Sequence, residues 1–223
     1  MKKIFLSILA LAAFAYASAA DKVETLTSPN GKIKVEVSVG SELKFSVYDG
    51  ANTLMKDSRI GLTVQNGPKV GTAALKKRTN ATINEQIPSP FYRELSVQNN
   101  CNEMSLAMAD GFTVTFRAYD NGVAYRFASA RKGEMIVENE LAEFNFPEDY
   151  MAWIPYTNQQ YNRWGTSFEN VYNNIKLSEA EADRLAFTPL AVDCKTAKVT
   201  FHESDLESYP GMFLKASAGK LTG

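Results

Sequence analysis

Alternation of apolar and polar side chains is the dominant pattern along this chain. Ile33, Val35, Val37 and Val39 fall on one side of an extended segment, with Lys32, Lys34, Glu36 and Ser38 on the other. A period of two is that of a strand with one buried face. Leu43, Phe45 and Val47 repeat it before Tyr48-Asp49-Gly50 turns the chain, and Ser28-Pro29-Asn30-Gly31 makes the preceding turn. The signature returns at Leu95 and Val97, and again at Met104, Leu106 and Met108. The clearest hairpin covers residues 112–127: Phe112, Val114 and Phe116 alternate with polar neighbours, Asp120-Asn121-Gly122 turns, and Val123, Tyr125 and Phe127 return. Shorter strand-like runs lie at residues 135–137, 187–192 and 199–201.

Helical periodicity is nearly absent. Residues 178–185 form the one candidate, with Ser178 and Glu181 at capping-box spacing. Residues 216–223 have the small and turn-forming character of a loop leaving the last strand. Many short strands between turn signals predict an all-β sandwich or barrel with antiparallel pairing.

A different pattern opens the chain. Lys2 and Lys3 precede an apolar run over residues 4–16, interrupted by Ser7, and Ala17-Ser18-Ala19 supplies the small-x-small site of signal peptidase. Residues 1–19 are therefore expected to be a cleaved secretory signal, leaving residues 20–223 as the exported domain, periplasmic or extracellular. The run is too short for a bilayer, and no other segment is long and apolar enough, so no membrane span is expected after cleavage. Roughly 200 residues suffice for one β domain with its own core. A net charge of −1 lacks the basic footprint that nucleic acid requires. Cys101 and Cys194 could pair in an oxidising compartment or remain free and buried, and their local sequence leaves both open.

Recognisable catalytic constellations are missing. His202 is the only histidine, and no G-x-S-x-G, Walker, G-x-G-x-x-G or H-E-x-x-H motif occurs. Glu203, Asp205 and Glu207 follow a strand end at alternate positions, which in an extended chain would place three carboxylates on one face. Hard oxygen donors of this kind suit Ca²⁺, but a calcium cage needs more of them, so spacing alone favours a solvated acidic face before Pro210-Gly211. Beside them His202 would either contact sugar hydroxyls and orient Glu203, or stand as an ordinary solvated residue. Trp153, Tyr156, Tyr161, Trp164 and Tyr172 make an aromatic-rich region; such rings stack on sugars but more often fill cores and domain interfaces.

The run from His202 to Met212, HESDLESYPGM, resembles the segment that closes the N-terminal domain of glycoside hydrolase family 97. Further pieces agree in the same order: Ser28-Pro29-Asn30-Gly31-Lys32, Arg59-Ile60-Gly61-Leu62, Asp120-Asn121-Gly122-Val123-Ala124-Tyr125-Arg126-Phe127, Trp153-Ile154-Pro155-Tyr156 and Phe187-Thr188-Pro189-Leu190. The resemblance covers essentially the whole chain after residue 19. It implies an antiparallel β-supersandwich, galactose-mutarotase-like, placed ahead of a (β/α)₈ barrel in an exported bacterial α-glucosidase or α-galactosidase. It further implies a calcium ion at the domain boundary, held mainly by barrel glutamates with one donated by this domain, which by the motif is Glu203. Asp205 and Glu207 have no such role in the family pattern, and His202 is expected beside the substrate. The catalytic carboxylates would belong to the barrel, so the expectation is no catalytic residue here, no hydrolysis by this chain alone, and oligosaccharide binding only through the full-length enzyme. A stand-alone carbohydrate-binding module is the alternative of a different class, marked by an exposed coplanar aromatic patch. A single-domain sugar epimerase is disfavoured by the lone histidine.

Overall fold

The computed structural model describes residues 21–91, 93–158, 169–207 and 209–223. The expected signal segment, Tyr161 and Trp164 lie outside the described residues. In chain order the strands begin with β1 (Lys22–Thr27), β2 (Ile33–Val39), β3 (Leu43–Asp49), β4 (Asn52–Val64) and β5 (Lys69–Val70). Next come β6 (Leu75–Pro88), β7 (Ser96–Met108), β8 (Phe112–Tyr119), β9 (Gly122–Ser129) and β10 (Val137–Asn145). The last are β11 (Met151–Ile154), β12 (Asn173–Lys176), β13 (Leu190–Asp193), β14 (Lys198–Phe201), β15 (Lys215–Ser217) and β16 (Lys220–Thr222).

They form three antiparallel sheets. The largest has the order β1-β2-β3-β4-β10-β16-β15, with β5 on β4. The second runs β6-β7-β8-β9 and the third β12-β11-β13-β14. The chain is an all-β sandwich, as the alternation predicts. β2 buries Ile33, Val35, Val37 and Val39 on one face, and β8 does the same with Phe112, Val114, Phe116 and Ala118. Phe45 of β3 meets Phe116 and Tyr125 of the facing sheet, each with ring centroids 5.8 Å away. Phe144 of β10 stacks on Phe201 of β14 at 4.6 Å, which carries the same core on to the third sheet. Cys101 and Cys194 are both buried and free, so the open question of their pairing closes on two thiols.

Two ties hold the large sheet together where the chain cannot be read as a simple alternation. Gly61 sits where β5 crosses closest: a Cβ there would lie 2.5 Å from the carbonyl oxygen of Val70. The buried Glu143 accepts both Nε and Nη2 of Arg59, at 2.6 and 2.7 Å, and Nζ of Lys220 at 3.1 Å. That network joins β4, β10 and β16, and Arg59 reaches on to Glu42 at 2.9 Å.

The sequence reading is corrected at several places; of the strand-like runs, 135–137 is strand only at Val137 and 187–192 only from Leu190. The helix expected at 178–185 is a single 3-10 turn, Leu177–Glu179; Ser178 turns its hydroxyl to Asp149, and Glu179, not Glu181, caps the amide of Lys176. The expected loop at 216–223 is the β15–β16 hairpin, turned through Gly219 at φ +66. The strand signature at Leu95 and Val97 marks no buried face. There β6 and β7 project as a two-stranded arm, because β8 pairs with β7 only from Cys101 to Ala107 while β6 continues to Pro88 opposite Ser96. Its tip exposes Phe91, Leu95, Ile87 and Val97.

Candidate functional site

The segment that follows β14 carries the candidate chemistry. Phe201 is buried against Phe144 and Phe146, which anchors the end of β14. Beyond it the described residues up to Phe213 form no strand, and the chain is recaptured by Leu214, whose amide and carbonyl pair with those of Ala186. Asp205 sits at φ +60, in the left-handed region, so the chain does not stay extended. Glu203, Asp205 and Glu207 therefore do not share one strand face. Among the described residues no group of three or more His, Cys, Asp or Glu side chains gathers as a metal cage.

Glu203 is held apart from the other two. Its Oε2 accepts the backbone N–H of Met212 at 2.5 Å, closing the segment on itself. Met212 in turn packs against the main core. Oε1 of Glu203 takes no hydrogen bond from a described residue. The carboxylate lines a cleft of about 590 Å³ together with Glu169, Tyr172, Phe187, Pro189 and Met212. Tyr172 stands edge-on to Phe187 at 6.2 Å and donates its hydroxyl to the carbonyl of Pro189 at 3.0 Å. Val171 (87% exposed) and Leu206 (45%) add apolar surface near this cleft. His202 is exposed and does not line it.

A second pair, absent from the sequence reading, lies close by. Tyr209 donates its hydroxyl to Oε2 of Glu140 on β10 at 2.8 Å. Burial pushes the Glu140 carboxyl above the usual carboxylate range and the negative charge of Glu203 adds to this, while the Tyr209 hydrogen bond opposes it. The Tyr209 hydroxyl is raised by burial first and then by Glu140, and that of Tyr125 by burial, Glu140 and Glu203. Glu140, Glu203, Tyr209 and Tyr125 thus sense one another across three segments of chain. The only sequence signal for this group was an aromatic residue directly before Pro210-Gly211.

Of the other aromatic candidates, the two described residues are occupied, and Tyr161 and Trp164 lie outside the described residues. Trp153 lies under the Lys198 ammonium at 5.5 Å, and Tyr156 is buried beneath the Arg184 guanidinium at 4.6 Å.

Residues 26–223 match the family described as Glycosyl-hydrolase 97 N-terminal. The chain belongs to that family. A retaining alpha-galactosidase of Bacteroides thetaiotaomicron is 38% identical over 207 residues, which is 90% of this chain and 31% of that protein. Among solved structures, a Glycoside Hydrolase Family 97 enzyme from Pseudoalteromonas sp. strain K8, in complex with acarbose, superposes with a TM-score of 0.74 at 23% identity. It is matched over 89% of this chain and 31% of its own length. A beta-arabinopyranosidase superposes with a TM-score of 0.77 at 21% identity, over 89% of this chain and 34% of its own. These structural likenesses speak for the fold. The family 97 N-terminal domain described here spans about a third of the length of such relatives.

Proposed function

We propose that this domain serves a calcium-dependent α-glycosidase, an α-galactosidase or α-glucosidase, by supporting its catalytic barrel and giving Glu203 to a calcium ion shared with that barrel. The observation that carries the reading is the state of Glu203: one carboxylate oxygen is fixed by the Met212 amide, the other takes no hydrogen bond from a described residue, and the residue lines a cleft. A hard, pre-aimed oxygen suits Ca²⁺, which takes six to eight such ligands. One carboxylate supplies a fraction of that shell, so the remainder would come from the barrel. Bound there, calcium would supply positive charge and rigidity at the domain boundary. Glu203 would orient on it, the exposed apolar residues beside the cleft would be covered by the barrel, and His202 would reach substrate from the rim. Export of the chain by its N-terminal signal belongs to the same proposal, since oligosaccharides of this class would be met outside the cytoplasm. Trp153 and Tyr156, each covered by a cation, weigh against a stand-alone sugar-binding face.

The test is Glu203→Gln in the chain joined to its catalytic region. The expected result is weaker calcium binding by calorimetry and slower hydrolysis of nitrophenyl α-galactoside or α-glucoside, with unchanged circular dichroism. Unaltered calcium affinity and turnover would refute the assignment.

A further inference from the structure

We infer that Glu140 and Tyr209 are positioning residues for Glu203, forming a latch that fixes the segment between β14 and β15. The inference rests on the reading of Glu203 as a cation ligand and deepens it.

The described residues between Phe201 and Leu214 carry no strand pairing. Among the described residues, two hydrogen bonds hold the middle of this segment: Met212 N–H to Glu203, within the segment, and Tyr209 hydroxyl to Glu140, which ties it to the large sheet. The Met212 amide bond to the Glu203 carboxylate is worth about 1.5–3 kcal/mol net, but it lies within the segment and so does not tie the carboxylate to the sheets. The Tyr209 tie anchors the chain between Glu203 and Met212 to β10 and so removes much of the conformational freedom that competes with the Glu203 orientation. Its placement also fits a latch better than a piece of core. Tyr209 is 39% exposed, and its replacement by Phe keeps the ring and removes one oxygen, so little volume is lost. Glu140 stands on β10, paired with Leu62 of β4, and is a rigid post. Glu140 and Tyr209 do not touch the cation in this account; they act through Glu203, in the way outer-shell partners orient metal ligands, where their loss costs about 10–100-fold in affinity.

The primary test uses the 223-residue chain and reads hydrogen exchange by NMR. Tyr209→Phe should speed exchange of the Met212 amide about tenfold, while the Val192 and Val199 amides of the β13–β14 pair keep their rates. Glu140→Gln retains an oxygen acceptor for the tyrosine and should restore slow exchange, whereas Glu140→Ala should not. An unchanged Met212 rate in Tyr209→Phe overturns the latch. In the chain joined to its catalytic region, Tyr209→Phe should weaken calcium binding about tenfold by calorimetry, with the calcium-free melting temperature unchanged. If Glu203→Gln weakens calcium binding and Tyr209→Phe does not, the positioning role fails while the ligand reading stands. If Glu203→Gln has no effect on calcium, the ligand reading fails, and the exchange data alone decide the latch. A fall in calcium-free melting temperature with no change in affinity would make the pair a structural tie only and overturn the proposal.

Discussion

Replacing Glu143 by Gln removes the charge at the centre of the network that joins β4, β10 and β16. The side chain is 4% exposed and is met by two nitrogens of Arg59 and one of Lys220. Arg59 foremost, and then Lys220, depress its carboxyl from near 4.5 to about 2. Each pK unit is worth about 1.4 kcal/mol, so the full shift corresponds to about 3 kcal/mol. Arg59 and Lys220 are 40% and 37% exposed, and solvent screening at those partners reduces the expected cost of Glu143→Gln to about 2 kcal/mol. For a domain of this size that is a fall in melting temperature of about 4–8 °C. The sign follows from the depressed pKa: the stabilisation is complete above the unfolded carboxylate value and is lost as pH falls toward 2. Urea unfolding of both proteins should therefore show a constant gap between pH 5 and 7 that closes steadily between pH 4.5 and 2. Carboxylates common to both proteins cancel in the difference. A gap below about 0.5 kcal/mol at pH 7, or one that does not narrow in acid, would refute the argument.

Gly61→Ala should destabilise by about 1–3 kcal/mol, since its Cβ would stand 2.5 Å from the Val70 carbonyl and β5 would have to move; a denaturation midpoint equal to that of the native protein would contradict this. Both thiols should resist a thiol reagent in the native state and react on unfolding. The Cys194 thiol, pushed up to about 11 by burial and then by Asp193, should be inert even at mildly alkaline pH, and rapid labelling at pH 8 would show otherwise. Phe116→Ala, at the centre of the aromatic contact between the sheets, should cost about 3–5 kcal/mol, whereas Phe91→Ala at the exposed arm tip should stay within about 0.5 kcal/mol of the native protein.

What could be read from the chain follows from how each strand is buried. β2 and β8 have one face in the core and one in water, and their alternation is written directly in the sequence. β6 was illegible because almost all of its length is exposed, so Leu75–Pro88 shows no apolar period. β15 and β16 have three residues each, too few for periodicity, and their hairpin is visible only through Gly219 and their pairing onto β10. At the candidate site, Glu203 was singled out through its surrounding motif, but the expected carboxylate face depended on an extended backbone that Asp205 breaks. The Glu140–Tyr209 contact joins residues 69 positions apart and leaves no local trace.

The projecting β6–β7 arm is held by fewer strand neighbours than the rest of the fold. A lone pair of strands has little stability of its own, so opening of the outer arm, Gln86–Pro88 against Ser96–Gln98, is expected to spare the sheets, whereas Asn99, buried and bonded to Tyr119 of β8, stays with them. A cut or inserted peptide at the arm tip would meet a backbone closed, among the described residues, by the Ser89 amide to the Leu95 carbonyl, and the sandwich is expected to survive it. That makes the arm tip a place where this domain can be tagged, tethered or split for reassembly while its buried core remains as it is.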